Sequence, residues 1–283
     1  STLSAATLDA SRVSTKKANT DAEIIEWMHK VYSTNETTPE RVKARSIFKG
    51  ALPPFFDEGS KDYVQTRMLS LLKGQSDVKT MEIPKLEKGD PRPFEVVGIP
   101  MTQGFHVVEI GSPLLGKSLL DERYGEGRTM YVRTAVLVTN LAVHFKMGRE
   151  NSVAWVTTLD KGKVVPGAKV QVSDCRGKLL GSAVTDEKGV ARFDAVTSGN
   201  ECSNYSGDYR SSALFVSARS QTETGEDMTF TRTDWNRGIE GWRFNQPLNR
   251  DPNRSELAHT IFDRTLIRAG ETVSMKHFIR TQT

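Results

Sequence analysis

Tyr131-Val132-Arg133-Thr134-Ala135-Val136-Leu137-Val138, then Leu141-Ala142-Val143-His144-Phe145-Lys146-Met147, then Val153-Ala154-Trp155-Val156 follow one another with only short polar breaks between them. In the second run Leu141, Val143 and Phe145 alternate with Ala142, His144 and Lys146. A period of two places one set inward and the other toward water, as in a strand with one face on a core. The pattern continues. Val165-Pro166-Gly167-Ala168 turns the chain into Lys169-Val170-Gln171-Val172, whose valines share a face, and Thr185-Asp186-Glu187-Lys188-Gly189 leads into Val190-Ala191-Arg192-Phe193. Ser212 to Ala218 and Met228 to Thr231 supply two more strands. About seven strands with turns at regular intervals close a two-sheet sandwich. The expected domain therefore spans about 128–234.

Upstream, the first region combines one helix with short strands. Thr20-Asp21-Ala22-Glu23 places a hydroxyl and a carboxylate where they satisfy the free amides of a starting helix, expected over about 20–33. Ile24, Ile25, Met28, Val31 and Tyr32 recur at three- and four-residue spacing and form its apolar face. Ser46 to Lys49, Tyr63 to Leu72, Val78 to Ile83, Phe94 to Val97 and Gly104 to Ile110 read as strands, the longest, Tyr63 to Leu72, being open to a helix on periodicity alone, with Lys85 to Pro93 as a connector. Downstream, Trp235 to Asn253 lacks either period and reads as a linker whose Trp235 and Trp242 either pin it to a neighbour or complete the preceding core. A further strand pair is expected at His259 to Phe262 and Val273 to Ile279. The fold class is thus mainly β: tandem antiparallel β-sandwich domains of immunoglobulin-like type, the first (1–127) carrying a helix, the second (128–283) ending in a linker and strands that lead into a next domain.

The chain of 283 residues is 37% hydrophobic and 26% charged, with no apolar run near the length of about 20 residues that a membrane helix needs. Its net charge of +4 comes from 39 basic and 35 acidic residues interspersed without a block of like charge, which describes a mixed solvated surface rather than a nucleic-acid footprint. A start at Ser1 without a leader, and a stop at Thr283 inside a strand-like pattern, lead to the expectation of a stretch cut from a longer exported protein. Cys175 and Cys202 are the two cysteines, 27 positions apart in polar, turn-rich segments. They read as a disulfide formed in an oxidising compartment, where closing such a loop contributes about 3 to 4 kcal/mol, or as two separate thiols.

The run from Tyr131 through Lys146, then Trp155-Val156-Thr157 and Val165 to Val170, resembles a macroglobulin-like domain of bacterial alpha-2-macroglobulin. Gly104 to Ile110 resembles the closing strand of the domain before it, and Phe262 to Val273 the entry into the next, with Ala269 standing where proline is usual. The resemblance implies a periplasmic protease trap tethered to the inner membrane by a lipid outside this stretch. In that family an attacking endopeptidase cuts a bait segment, the domains rearrange, and a thioester tethers the captured enzyme. It also implies partners: neighbouring macroglobulin-like domains, target proteases, and a peptidoglycan-synthesising penicillin-binding protein. Cys175 precedes Arg176-Gly177-Lys178 and Cys202 precedes Ser203-Asn204-Tyr205, so neither has the Glu-Gln that a thioester cysteine needs two residues on. The stretch is therefore expected to be scaffold, without bait, thioester, enzyme activity, metal or cofactor.

Two other functions are weighed against that one. An adhesive or cell-wall-binding module shares the fold class and needs an exposed binding patch. Gly111-Ser112-Pro113-Leu114-Leu115-Gly116-Lys117-Ser118 matches the phosphate-loop pattern and follows a strand, which is the case for a nucleotide-binding protein. That chemistry needs backbone amides wrapped round the phosphates and a helix opening at the Lys-Ser pair. Pro113 removes an amide, and the segment reads instead as the way out of the first domain. His29, His106, His144, His259 and His277 are scattered, with no metal-ligand spacing.

Overall fold

The computed structural model describes residues 11–34, 41–43, 63–83, 97–119, 129–148, 150–197, 202–203, 210–211, 213–223, 225–235, 256–264 and 266–281. Strand β1 (Arg12–Ala18) leads into helix α1 (Asp21–Thr34). The capping box forms as the sequence predicts: Thr20 Oγ1 accepts from the Glu23 amide at 3.2 Å, and Glu23 Oε2 accepts from the Asn19 and Thr20 amides at 2.9 and 3.1 Å. Those donations, the Asn19 amide foremost, hold the Glu23 carboxyl below its ordinary range. Ile24, Ile25 and Val31 are buried as expected, and Trp27 joins them, whereas Tyr32 lies largely in solvent.

Strands β2 (Arg41–Lys43) and β3 (Tyr63–Gln65) pair with each other, and β3 runs straight into a 3₁₀ turn at Thr66–Met68. The strand expected over Tyr63 to Leu72 is therefore three residues long. The reason is a buried carboxylate. Glu109 accepts hydrogen bonds from the Ser70 hydroxyl at 2.5 Å and the Leu71 amide at 2.7 Å, so this backbone bonds to a side chain instead of a ladder. Leu69, Leu71 and Leu72 drop into the core around it. The strand at Ser46 to Lys49, the connector Lys85 to Pro93 and residues 94–96 lie outside the described residues.

Strands β4 (Val78–Glu82), β5 (Gly104–Ser112) and β6 (Met130–Val138) join β1 in an antiparallel sheet of order β4-β1-β5-β6. Helix α2 (Pro113–Leu119) connects β5 to β6. The sequence pattern assigned β6 to the second sandwich, but it pairs with β5 over nine residues, from Gly104↔Val138 to Ser112↔Met130. One face of this sheet carries Val13, Val108 and Ile110 against Val97, Ile99 and Met101. The other carries Ala18, Phe105 and Val107 against α1 and Leu69 to Leu72.

The chain crosses at Asn140 into the sandwich. One layer is β11 (Val190–Asp194), β8 (Asn151–Thr158) and β7 (Leu141–Met147); the other is β10 (Leu179–Val184), β9 (Lys169–Ser173), β14 (Phe215–Thr222) and β15 (Gly225–Arg232). Val143, Ala154, Val156, Val170, Val172, Ala191, Leu214 and Val216 fill the space between them. Val156, Val170, Val172 and Val216 have no exposed surface, and each contributes about 2 kcal/mol by burial. Both predicted turns form. Gly167 and Gly189 take positive φ, and Asp186 Oδ1 accepts from the Lys188 and Val190 amides, both at 2.9 Å, so the turn is set by a side chain. Short strands β12 (Cys202–Ser203) and β13 (Arg210–Ser211) pair with each other, as do β16 (Glu256–Phe262) and β17 (Met275–Thr281). The fold is mainly β, with antiparallel sheets in sandwich-like layers and a short helical part.

Candidate functional site

The feature that gives the molecule its working geometry is the joint between the helix-bearing sheet and the sandwich. Sheet β10-β9-β14-β15 turns Val170, Val172 and Val216 toward its partner layer, so the alternate residues of β14 and β15 point the other way. Phe215, Met228 and Phe230 on that second face join Ile24, Trp27 and Phe105 in one cluster. Phe230 stacks on Phe215 at 4.8 Å, meets Phe105 at 6.0 Å, and touches Trp235 at 5.5 Å. Trp235 thus leans on the preceding core while half in solvent; Trp242 lies outside the described residues.

Polar groups fix the joint in one position. Asp21, the first residue of α1, pairs with Arg219 on β14 at 2.5 Å, and the two side chains are only 10% and 13% exposed. The Ser217 hydroxyl donates to the second carboxylate oxygen of Asp21 at 2.7 Å and accepts from Arg219 at 2.9 Å. Each charge is thereby paired and hydrogen-bonded, the condition for burying it. The turn after β9 adds a steric stop. Asp174 Oδ1 accepts from the Arg176 and Lys178 amides at 2.9 Å, Gly177 closes the turn with φ at 83°, and a Cβ there would stand 2.8 Å from the Ala22 backbone. Only glycine lets the helix start approach this closely.

The crossing itself is tied as tightly. The Asn140 amide donates to Asp227 Oδ2 at 2.9 Å, its carbonyl accepts from Leu159 at 2.7 Å, and its side-chain oxygen accepts from the Asp160 amide at 3.0 Å. β6 therefore passes from one sheet to β7 in the other through a residue held by β8's exit turn and by β15. None of Asp21, Ser217, Arg219, Asn140 or Asp227 stood out in the sequence, because they come together from positions about 90 to 200 apart. The capping box at Thr20 was the one signal within reach, since it fixes where Asp21 sits.

Among the described residues, the phosphate-loop segment and the histidines singled out from the sequence do not converge on one site. In Gly111 to Ser118 the strand runs to Ser112, and α2 opens at Pro113, so Gly116 and Lys117 lie inside a helix rather than at its start. The Ser112 hydroxyl already caps that helix by accepting from the Leu115 amide at 3.2 Å. This is no phosphate cradle. It is the connection between β5 and β6. His106 is buried and its Nε2 bonds the Thr102 carbonyl at 2.7 Å; burial first, then Lys17 and Lys79, push its pKa down. His144 packs against Trp155 at 5.6 Å, and His277 meets Thr260 at 2.9 Å. Among the described residues no group of three His, Cys, Asp or Glu side chains could hold a metal, and no helix is long and apolar enough to cross a membrane. Cys175 lies in the turn against α1, and Cys202 opens β12 opposite Ser211.

Residues 138–250 match the family model described as the bacterial alpha-2-macroglobulin MG3 domain. The match covers β7 to β15, which include every strand of the two facing layers. The chain carries a distant macroglobulin-like domain. Similar solved structures include native alpha-2-macroglobulin of Escherichia coli spanning domains NIE-MG1, at 10% identity over 77% of this chain and 82% of that one, TM-score 0.37. A second, spanning MG0-NIE-MG1 of the same protein, is 11% identical over 77% of this chain and 54% of that one, TM-score 0.33. No curated protein matches. The match begins two residues before the Asn140 crossing.

Proposed function

We propose that this chain is a non-catalytic scaffold segment of a protease inhibitor of the alpha-2-macroglobulin kind, working in the periplasm, and that it sets the geometry of neighbouring macroglobulin-like domains. The single observation that carries this is the family match over residues 138–250 falling on the two-layer core. The joint supports it. A buried ion pair, an aromatic stack and a glycine contact make the helix-bearing sheet and the sandwich move together, so strain at one end reaches the other. In this reading the divide between the two regions falls at Asn140, and the hairpin β16–β17 opens the following domain. The bait, the thioester and the lipid anchor belong to other parts of the protein, and a penicillin-binding protein remains a candidate partner at the membrane.

The same reading joins Cys175 to Cys202. Cys175 is not a free thiol, and Ser173 pairs with Phe215 while Cys202 pairs with Ser211, four residues earlier. Antiparallel continuation from Phe215 brings the Ser211 end back toward the Cys175 turn. Mass measurement after alkylation of the native protein tests it: no alkylated cysteine without reductant is expected, and two alkylated cysteines refute the bridge.

The trap is tested on the full-length protein. After incubation with an endopeptidase, the captured enzyme is expected to stay active on a small peptide amide and to lose activity on a protein substrate. Unchanged digestion of the protein substrate overturns the proposal. One observation favours the wall-binding alternative: Trp155 is 43% exposed on the open face of β11-β8-β7, held by donation from its Nε1 to the Lys188 carbonyl at 3.2 Å. Sedimentation with isolated peptidoglycan, lost in Trp155→Ala, would support that alternative.

A further inference from the structure

The turn between β9 and β10 is rigid in itself and loosely seated. Asp174 closes it from within: its carbonyl accepts from the Gly177 amide at 3.0 Å, its amide donates to the Lys178 carbonyl at 2.9 Å, and its Oδ1 accepts from the Arg176 and Lys178 amides. Residues 174–178 therefore move as one piece. The seat of that piece is weaker. The β9–β14 ladder ends at Ser173↔Phe215, and the β9–β10 ladder shifts register between Leu179 and Gly181, directly after the turn. A bulge leaves a residue unpaired and lets the strand bend, so the two ladders do not fix how the turn lies against its surroundings.

That position decides how the helix start is held. Gly177 is the residue that abuts Ala22, next in sequence to Asp21. Cys175, two residues before Gly177, is half-buried and disulfide-bonded. Cys202 lies opposite Ser211, and from there the chain passes through the buried Ala213 and Leu214 into β14. Leu214 is itself anchored, its amide donating to Thr233 Oγ1 at 2.9 Å and its carbonyl accepting from the Thr233 amide at 3.1 Å. β14 carries Phe215, Ser217 and Arg219, which meet α1 and the residues around it. A bridge from Cys202 to Cys175 thus runs from the approach to the strand that bears one half of the joint to the turn that abuts the helix bearing the other half.

We propose that the Cys175–Cys202 bridge is a redox-sensitive lock on the joint: oxidised, it seats the turn at 174–178 against α1, and reduced by a dithiol, it frees the turn and loosens the start of α1 from β14. The lock rests on the cysteine pairing put forward above and is independent of the protease trap. The chemistry is thiol–disulfide exchange. A thiolate of the dithiol attacks the Cys175 sulfur, the S–S bond breaks, and Cys202 leaves as a thiolate that takes up a proton. The second thiol of the reagent, losing its own proton, attacks the mixed disulfide and releases Cys175, which is protonated in turn. Two electrons and two protons pass to the cysteines, and the dithiol ends as its own disulfide. Asp21, Ser217 and Arg219 keep their contacts in part, so reduction loosens the first turn of α1 without unfolding the chain.

The test uses the folded 283-residue chain, with amide hydrogen exchange followed before and after dithiothreitol and cysteines counted by alkylation and mass. Without reductant no cysteine is alkylated; two alkylated cysteines remove the pairing and the lock with it. After dithiothreitol both are alkylated, and the amides of Glu23, Ile24, Arg176 and Lys178 are expected to speed up at least about tenfold more than those of β7 and β8, which report the sandwich as a whole. Reoxidation restores the starting rates. Cys175→Ser combined with Cys202→Ser is expected to show the fast rates without reductant, and where that variant does not fold the dithiothreitol comparison decides alone. A pairing whose reduction speeds both sets of amides alike, or neither, overturns the lock and leaves the pairing standing. So does a bridge that dithiothreitol fails to reduce in the folded chain.

Discussion

The helix-bearing sheet and the outer layer of the sandwich, β11-β8-β7, are built on opposite terms. In the helix-bearing sheet, β5 is buried on both faces, Phe105 and Val107 against α1 and Val108 against the 97–101 segment, so no alternation survives along it. In the sandwich, β8 keeps Ser152, Ala154 and Val156 inside and turns Trp155 to solvent. A strand covered on both sides must bury whatever it carries, including Glu109 and His106, and each such group needs its own partner. A strand covered on one side leaves its polar residues to water. Polar substitutions should therefore be costly in the first region and at the joint, and nearly silent on the open face.

The largest effect is expected at the joint. Arg219→Ala leaves Asp21 buried without its cation and should cost about 3 to 5 kcal/mol in denaturant unfolding. A loss below 1 kcal/mol would mean that the two regions do not depend on each other. Glu109→Gln, which weakens the bonds to Ser70 and Leu71, should cost about 2 kcal/mol, whereas Lys146→Gln on the open face should stay within about 0.5 kcal/mol. Equal effects would erase the distinction between the two regions. Thr20→Ala, which removes the hydroxyl that caps α1, should cost about 1 kcal/mol by the same measurement.

The smallest effect is a pH dependence. His106 faces Lys17 on β1 and Lys79 on β4, with the Thr102 carbonyl as its acceptor, and its folded pKa lies below the unfolded value of about 6.5. The unfolded state therefore takes up the proton first. His106 contributes its full stability above that value and loses it as pH falls through the folded pKa. Unfolding followed from pH 7 to pH 5 should show a decline that flattens in His106→Leu. The same slope in both proteins would remove His106 as its source.

Much of the sandwich was legible because its signals are local. Alternation in Leu141 to Phe145, the paired valines of β9 and the Asp186 turn each involve neighbours within a few residues. The capping box at Thr20 and Glu23 was legible for the same reason. The place of β6 was not, since an apolar run fits either side of the crossing and only its pairing with β5 decides. The break after Gln65 depended on Glu109, some forty residues away. Arg219 and Ser217 looked like ordinary polar positions on a strand, and only the docking of α1 makes them a buried pair with Asp21.

Calorimetry of the intact chain tests the joint most directly. If α1, the first sheet and the sandwich are locked together through Asp21, Arg219 and the aromatic stack, these elements melt in one cooperative transition, and Arg219→Ala lowers that whole transition or splits it. Two resolved transitions in the unaltered protein, with the sandwich transition unmoved by Arg219→Ala, would show the regions to be independent and contradict the account.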